Sequence, residues 1–268
     1  MLMITSRAQR WSCTELSSQD EVLDCVLENP DPSVDQLLKP EAFLERIRGK
    51  RVLFLVHGYN NDEDDVCRAY GLIAQRVGAE LAGAYDVVVG YTWPGGDLRV
   101  SYPAARHRAK ACAPRLAAWL GRMAAVASAV DLLCHSLGNF LALRALATMA
   151  SGKARFRFAW MTAAAVHDEA LEPGEPFAAV PALFQGFCIY HSRRDRVLRL
   201  AFPLAEGDRA LGLCGPENPE AVLHLPTVQV VNCKRVVGDH GADKRCPELY
   251  AHLRSRLQGV GGPQFVTL

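Results

Sequence analysis

Short apolar segments alternate along the chain with longer segments that repeat their apolar residues at helical spacing. The run Arg51–His57 is apolar and is followed by a glycine, as is typical of a strand buried on both faces. From Val66 to Leu81 apolar residues recur at helical spacing, after acidic residues that suit the first turn of a helix. Because the order strand, loop, helix then repeats, the pattern predicts a parallel sheet.

The remaining elements follow from the same periodicities. Further strands are predicted over Tyr85–Trp93, Ala129–Cys134, Phe156–Val166, Phe187–Ser192 and Val228–Cys233. Helices are predicted over Tyr102–Met123, which Pro114 should kink or split, over Leu137–Met149, and from Pro247 onward. The count suits an α/β fold with a doubly wound, mostly parallel eight-stranded sheet and helices on both faces.

Length and composition favour one domain over residues 1–268, with 51–258 as its catalytic core. The chain has 268 residues, of which 50% are hydrophobic and 22% charged, enough apolar material for a continuous core. Residues 1–50 are expected to supply the antiparallel edge of the sheet. They should include a strand in Leu2–Trp11 and a connector in Pro30–Pro40.

Charge and cysteine usage narrow the range of partners. A formal net charge of +1 gives no reason to expect a nucleic acid or an anionic membrane, so we expect a small-molecule partner. The nine cysteines form no CxxC pair, and no secretory leader or bilayer-long apolar run is visible, which predicts a cytoplasmic protein without stable membrane insertion. No basic amphipathic segment is evident either. Cys188 and His191 have a possible metal-ligand spacing but lack two further partners, so no metal is expected.

The strongest chemical signal is the pentapeptide Cys134–Gly138, between a predicted buried strand and a predicted buried helix. A nucleophilic serine on a sharp strand-to-helix turn needs this context, because the turn lifts its hydroxyl clear of the sheet. The positions two before and two after the serine must be small; Gly138 satisfies this, and Cys134 replaces the first glycine of the pattern. Ser136 is the candidate nucleophile, and a plain helix N-cap is the alternative.

A second glycine-containing loop, His57-Gly58-Tyr59-Asn60, follows the first central strand. In the nucleophile-elbow fold this loop supplies one oxyanion N–H, which predicts Tyr59 as a donor, with Asn60 as the less favoured choice. The second predicted donor is Leu137, whose N–H lies at a helix N-terminus where developing negative charge is favoured. His57 is interpreted as a loop-fixing residue rather than a base.

A serine nucleophile requires a base, and the base requires an acid that fixes its tautomer. In this fold the chain order is serine, acid, histidine. Asp195 follows the predicted strand Phe187–Ser192, and His240 follows the last predicted strand, so both lie at strand C-terminal ends. His240 is the candidate base and Asp195 the candidate acid, although Asp195 could also be a helix N-cap. The fallback acids are Asp168, Glu169 and Asp239, whereas His135 and His191 are interpreted as structural.

Four of these segments together resemble a bacterial α/β-hydrolase family of unknown function. Its members carry an HGYN-like loop, a YTWP-like segment, an HSLGN or HSMGN elbow and an S..D.aL acid loop, here His57–Asn60, Tyr91–Pro94, His135–Asn139 and Ser192–Leu198. The motifs occur in order and the likeness covers most of residues 50–258. The resemblance implies the α/β-hydrolase fold and the positions Ser136, Asp195 and His240, but no settled substrate.

These features favour a carboxylesterase-like serine hydrolase that works through an acyl-enzyme and needs no cofactor. We expect short- to medium-chain esters; thioesters, amides and a lipase-like activity stay open, as does a non-catalytic protein of the same fold that binds a ligand or partner. Val166–Gln185 and Arg199–Pro226 are too short for a large cap, which predicts an open or lightly covered pocket. Tyr91, Trp93 and Phe202 are expected either in its lining or in the core.

Overall fold

The computed structural model describes residues 1–9, 12–27, 33–96, 102–150 and 155–268. Within them ten strands form one sheet: β1 Leu2–Arg7, β2 Leu16–Val26, β3 Ser33–Leu38, β4 Arg51–Val56, β5 Val87–Thr92, β6 Ala129–His135, β7 Phe156–Thr162, β8 Phe184–His191, β9 Val228–Asn232 and β10 Phe265–Thr267. The helices are α1 Pro40–Ile47, α2 Glu63–Glu80, α3 Tyr102–Val126, α4 Leu137–Met149, α5 Arg196–Glu206, α6 Leu211–Cys214, α7 Pro219–Leu223 and α8 Pro247–Leu257.

The strands lie in the order β10-β9-β8-β7-β6-β4-β5-β1-β2-β3. All neighbours from β10 to β1 pair in parallel, and β2 and β3 extend the sheet in antiparallel fashion. The predicted mostly parallel, doubly wound sheet is therefore confirmed, but the predicted count of eight strands is wrong. No strand segment located in the sequence covers β2, β3 or β10, whose residues are partly exposed or too few to form an apolar run.

Residues 1–50 contribute more sheet than the sequence indicates. The first strand, β1, pairs in parallel with β5, and only β2 and β3 form the antiparallel edge. The predicted strand end at Trp11 and the beginning of the predicted connector at Pro30 lie outside the described residues. The rest of that connector contains β3, so its assignment as mainly connector is wrong. That the whole chain forms a single domain stays a prediction.

Helices cover both faces of the sheet. One apolar cluster joins the sheet to α1, α3 and α4, and a second joins its other face to α2 and α8. Tyr91 and Trp93 are completely buried, so they belong to the core. Helix α3 continues through Pro114 without interruption, so the predicted split does not occur. None of the helices in the described ranges is long and apolar enough to cross a membrane.

The topology brings four loops to one edge of the sheet. The chain moves from β4 to β5 on one side and then to β6, β7, β8 and β9 on the other, so the strand order reverses at β4. Ligands of open α/β sheets bind beyond the carboxyl ends of the strands at such a point. The loops that follow β4, β6, β8 and β9 all end there, and they carry the candidate residues.

Candidate active site

Ser136 occupies the strained turn that the sequence predicts between β6 and α4. Its φ of 54° and ψ of −127° are unfavourable for any residue with a Cβ, a cost of about 1–3 kcal/mol. The turn is held by hydrogen bonds on both sides: the Ser136 N–H donates to the Thr162 carbonyl at 3.1 Å, and the Ser136 carbonyl accepts from the Ala165 N–H at 3.2 Å. A rigid frame therefore fixes the position of the hydroxyl.

Asn139 adds a side-chain brace to this turn. Its side chain is fully buried, and its amide nitrogen donates to the Ser136 carbonyl at 3.1 Å and to the Thr162 carbonyl at 2.9 Å. One buried amide thus ties the elbow to the end of β7. In the sequence, Asn139 is only the last residue of the elbow motif, and nothing there predicts this role.

The elbow passes so close to β4 that one position must be glycine. A Cβ on Gly138 would lie 2.4 Å from the His57 carbonyl oxygen and 2.6 Å from that of Val56, both backbone atoms. On the strand side, Cys134 stands where the elbow pattern has its first glycine. Its side chain is buried, and burial raises the pKa of its thiol. A small thiol is tolerated there, whereas the second position tolerates no side chain.

Ser136, His240 and Asp195 form one continuous hydrogen-bonded chain. The distance from Ser136 Oγ to His240 Nε2 is 2.9 Å, and His240 Nδ1 lies 2.7 Å from Asp195 Oδ2. Because a carboxylate only accepts hydrogen bonds, Nδ1 carries the proton and Nε2 is free to accept one from the serine. Ser136 is 6% exposed and Asp195 2%, so this chain is largely shielded from water.

Asp195 combines the two roles that its sequence context suggested. One oxygen accepts from His240, and the other, Oδ1, accepts from the Leu198 N–H at 2.9 Å as the N-cap of α5. The fallback acids lie in other contacts: Asp168 Oδ2 lies 3.1 Å from the Arg209 guanidinium, and Asp239 accepts from the Gly241 N–H. Helix α5 and the histidine are therefore tied to the same carboxylate.

The loop after β4, residues 57–61, packs directly against the nucleophile. A Cβ on Gly58 would lie 2.7 Å from Ser136 Cβ, so the backbone that leads into Tyr59 passes beside the serine. The alternative donor Asn60 directs its N–H to the Gly95 carbonyl at 3.4 Å and adopts a left-handed φ of 57°. Leu137 begins α4 directly after the nucleophile, where N–H groups have no intrahelical partner.

His57 fixes this loop, as the sequence analysis expected of it. Its Nε2 accepts from the Trp93 N–H at 3.1 Å, its Nδ1 donates to the Gly58 carbonyl at 2.8 Å, and its carbonyl accepts from the Trp93 indole at 2.9 Å. Burial, and then the charge of Arg7, lower the pKa of His57 well below its ordinary value. A neutral imidazole engaged at both nitrogens is a structural group.

Arg7 holds the same loop from the N-terminal strand. It is 3% exposed, and its guanidinium donates to the Asn61 carbonyl at 2.9 Å and to Thr92 Oγ1 at 2.7 Å. Asn61 in turn donates through its side-chain amide to the Tyr59 carbonyl at 2.7 Å. The sequence does not point to Arg7, because an arginine near the end of a strand gives no sign of a contact 54 positions away.

His135 lies next to the candidate base rather than apart from it. Its Nε2 donates to the His240 carbonyl at 2.7 Å, and the two ring centroids are 4.9 Å apart. Burial, followed by the charge of Lys244, lowers the pKa of His135 to about 3, so the ring is neutral at pH 7. The interpretation as a structural residue agrees with this geometry, but the contact with His240 was not foreseen.

A cavity of about 780 Å³ opens in front of Ser136 Oγ. Most of its wall is apolar, with aromatic side chains from Tyr59, Tyr102 and Phe202 and aliphatic ones from α5. This places Phe202 in the pocket lining, whereas Tyr91 and Trp93 are core residues. The size is ordinary for a small-molecule site.

Within the described residues, two groups could hold a metal ion by distance, His167–Glu169–Asp208 and Asp168–Glu169–Glu217. Neither contains Cys188 or His191, and the second is already neutralised in part by Arg209, which contacts both Asp168 and Glu217. Neither group includes a residue of the serine, histidine and aspartate chain.

Comparison with known proteins places the molecule in a family. Residues 38–245 match the family described as alpha/beta hydrolase of unknown function (DUF900). The chain belongs to this family. Membership confirms the α/β-hydrolase fold that the resemblance implied and supports a hydrolase. The roles of individual motif residues stay predictions.

Other comparisons add little to this family assignment. No curated protein sequence matches the chain. Among solved structures, carboxyl esterase 2 of the mycorrhizal fungus Tuber melanosporum is similar at 12% identity and a TM-score of 0.37, with 92% of this chain and 70% of the esterase chain covered. A likeness this weak says nothing about the substrate of this family member.

Proposed function

We propose that the protein hydrolyses carboxylic esters through a covalent acyl-serine intermediate. The observation that carries the proposal is the chain from Ser136 Oγ through His240 to Asp195, with hydrogen bonds of 2.9 and 2.7 Å. A structural hydroxyl needs neither a strained backbone nor an imidazole and a buried carboxylate aligned behind it. The arrangement does suit a serine that must lose its proton at the moment of attack.

In the acylation step, Ser136 Oγ attacks the ester carbonyl carbon while His240 Nε2 takes the hydroxyl proton. The carbonyl oxygen becomes an oxyanion, and the backbone N–H groups of Tyr59 and Leu137 are proposed to stabilise it. The bond to the leaving alcohol then breaks, and His240 returns the proton to that oxygen. Asp195 keeps the imidazole oriented and stabilises its positive charge throughout.

Deacylation repeats these steps with water as the nucleophile. Water attacks the acyl carbon, His240 accepts its proton, and the proton passes to Ser136 Oγ as the acyl–serine bond breaks. A carboxylic acid leaves and the starting state returns. Each proton and bond in this cycle is accounted for by the three side chains and water, so the proposed cycle requires no cofactor.

Trapping the serine tests the proposal directly. The intact protein is exposed to a fluorophosphonate probe, and its mass is compared with that of Ser136→Ala and His240→Ala. Two matched controls, Ser255→Ala and His224→Ala, remove the same residue types from α8 and from the exposed end of α7. We expect one adduct in the native protein and both controls, and none in the two site variants.

Turnover of p-nitrophenyl butyrate then separates the roles. Ser136→Ala should lower kcat by on the order of 10⁶. Asp195→Asn should lower it by about 10⁴, because the asparagine keeps the geometry of the site but no longer holds His240 in the tautomer that accepts the serine proton. A folded native protein that takes up no probe, or an adduct that persists in Ser136→Ala, would overturn the proposal. The first result would favour a binding protein of the same fold.

A further inference from the structure

Helix α5 exposes a band of apolar side chains beside the mouth of the pocket. Leu204 is 90% exposed, Leu200 64% and Val197 49%, and their spacing of three and four residues places them on one side of the helix. The opposite side is buried through Leu198 and Phe202. We call Val197, Leu200 and Leu204 the α5 stripe. Single exposed leucines are common, but a continuous apolar stripe at a pocket mouth marks an interaction surface.

The α5 stripe continues the inner wall of the pocket. Val197 and Leu204 line the same cavity as Ser136, together with Ala201 of the same helix. An acyl chain whose carbonyl lies at Ser136 can therefore leave the cavity along α5 without meeting a polar surface. The apolar path extends beyond the enclosed volume, which favours a chain longer than the short to medium acyl groups expected from the sequence.

Basic side chains border this apolar path. Four exposed arginines lie at the start of α5 and just before it, and we call them the arginine group: Arg193, Arg194, Arg196 and Arg199. In the described part of the chain no carboxylate forms an ion pair with any of them. The acid among them, Asp195, is buried against His240, and Glu206 at the far end of α5 pairs with Arg106 at 2.6 Å. The start of α5 therefore carries positive charge that no ion pair neutralises.

We propose that α5 docks on an anionic lipid surface and that the ester is drawn from that surface into the pocket. The α5 stripe would enter the acyl region, and the arginine group would contact anionic headgroups. A second copy of the chain fits less well, because a two-fold contact through α5 would bring two arginine groups together. No basic amphipathic segment is evident in the sequence, because only the exposure of α5 in the fold shows that Arg196 and Arg199 flank an apolar stripe.

Docking is measured on Ser136→Ala, so that the lipid is not consumed. The protein is mixed with vesicles of phosphatidylcholine, or of phosphatidylcholine and phosphatidylglycerol in equal parts, and the bound fraction is found by sedimentation. We expect binding to the anionic vesicles and little to the neutral ones. Arg196→Gln with Arg199→Gln should weaken it roughly 25-fold, and Leu200→Ser with Leu204→Ser at least tenfold. Raising the salt to 1 M should release the protein.

Matched controls change the same residue types elsewhere. Leu223→Ser removes a 54% exposed leucine from α7. Arg48→Gln with Arg122→Gln removes one charge directly after α1 and one from α3. These variants should bind like the parent, and all variants should keep its melting temperature. No sedimentation with anionic vesicles, equal binding to neutral ones, or equal losses in the controls would overturn the proposal. So would a dimer by light scattering that Leu200→Ser with Leu204→Ser converts to monomer.

The substrate part of this inference rests on the proposed esterase function, but the docking part does not. If vesicles are bound and no probe labels the native protein, the proposed function fails and the docking surface stands. If the probe labels Ser136 and no vesicle is bound, the docking surface fails and the esterase stands. With both in place, turnover of a phosphatidylglycerol ester should exceed that of an equally long phosphatidylcholine ester several-fold.

Discussion

Replacing Gly138 by alanine tests whether the contact between the elbow and β4 sets the reactive geometry. The added Cβ would lie 2.4 Å from the His57 carbonyl oxygen and 2.6 Å from that of Val56, whereas ordinary contacts begin near 3.4 Å. Because both oxygens belong to the backbone, neither can rotate away, and β4 and α4 must separate by about 1 Å. Gly58 and Tyr59 come directly after Val56 and His57 in the chain. The Tyr59 N–H, the predicted oxyanion donor, should therefore move away from Ser136 by a similar distance.

A displacement of this size has a calculable effect. Misplacing reacting groups by 1 Å costs about 100-fold in rate, so kcat/KM for p-nitrophenyl butyrate should fall about 100-fold. Overpacking should also lower the free energy of unfolding by about 1–3 kcal/mol, read as a loss of roughly 2–4 °C in Tm per kcal/mol. Activity and Tm are measured on the same preparation.

Gly78→Ala is the matched control for this substitution. Gly78 lies in α2 with no atom within 4 Å of an added Cβ, so the variant should keep full activity and gain about 1 kcal/mol of stability. A Gly138→Ala protein with native activity would refute the reasoning, because it would mean that the elbow can shift without moving the donors. A protein equally inactivated by Gly78→Ala would refute it as well.

Three further predictions follow from buried polar groups. His135→Phe should lower kcat about 10- to 100-fold with little change in KM, because it removes the hydrogen bond to the His240 carbonyl, while His135→Gln, whose amide can donate, should retain more activity. Burial lowers the pKa of His191 to about 4, so as the pH falls the unfolded chain takes up a proton on this histidine before the folded protein does. The free energy of unfolding should therefore fall from its value above about pH 6.5 by about 2 kcal/mol at pH 5, and urea unfolding of His191→Phe should lack this loss. Asp131→Asn should cost about 3 kcal/mol in the same assay, because Asp131 accepts from the Arg157 guanidinium at 2.8 and 2.9 Å and is fully buried.

The core of the fold could be predicted because its strands are buried on both faces. The runs that became β4 and β6 are continuously apolar, and α4 begins and ends at the predicted residues, since almost every side chain in it is buried. The edge strands gave no such signal. In β2 the exposed face carries serine, glutamine and acidic residues, and β10 has only three residues, so neither contains an apolar run. Pairing with a neighbour, rather than local sequence, makes them strands.

The candidate residues were accessible for a different reason. Ser136, Asp195 and His240 each follow a buried strand, and the carboxyl ends of parallel strands lie at the same edge of the sheet. Their order along the chain therefore predicts that the three side chains meet. The order of residues along the chain does not predict the hydrogen bonds that hold these three residues in place. Asn139 and His135 act through backbone carbonyls, and any residue type can offer a carbonyl, so sequence alone contains no sign of the partner.

Arg7 illustrates how far the supporting contacts extend from the motif. It is carried by β1, which enters the sheet parallel to β5 and so directs its last residue towards the edge where the site lies. From there its guanidinium reaches the Asn61 carbonyl, and Asn61 reaches that of Tyr59, so two hydrogen bonds join the first strand to the predicted oxyanion donor. A guanidinium stays charged, so burying it is costly unless its donors are hydrogen-bonded. The Asn61 and Ser12 carbonyls and Thr92 Oγ1 accept from Arg7. The N-terminal segment, expected to be edge and connector, is therefore also part of the frame that holds the loop beside Ser136.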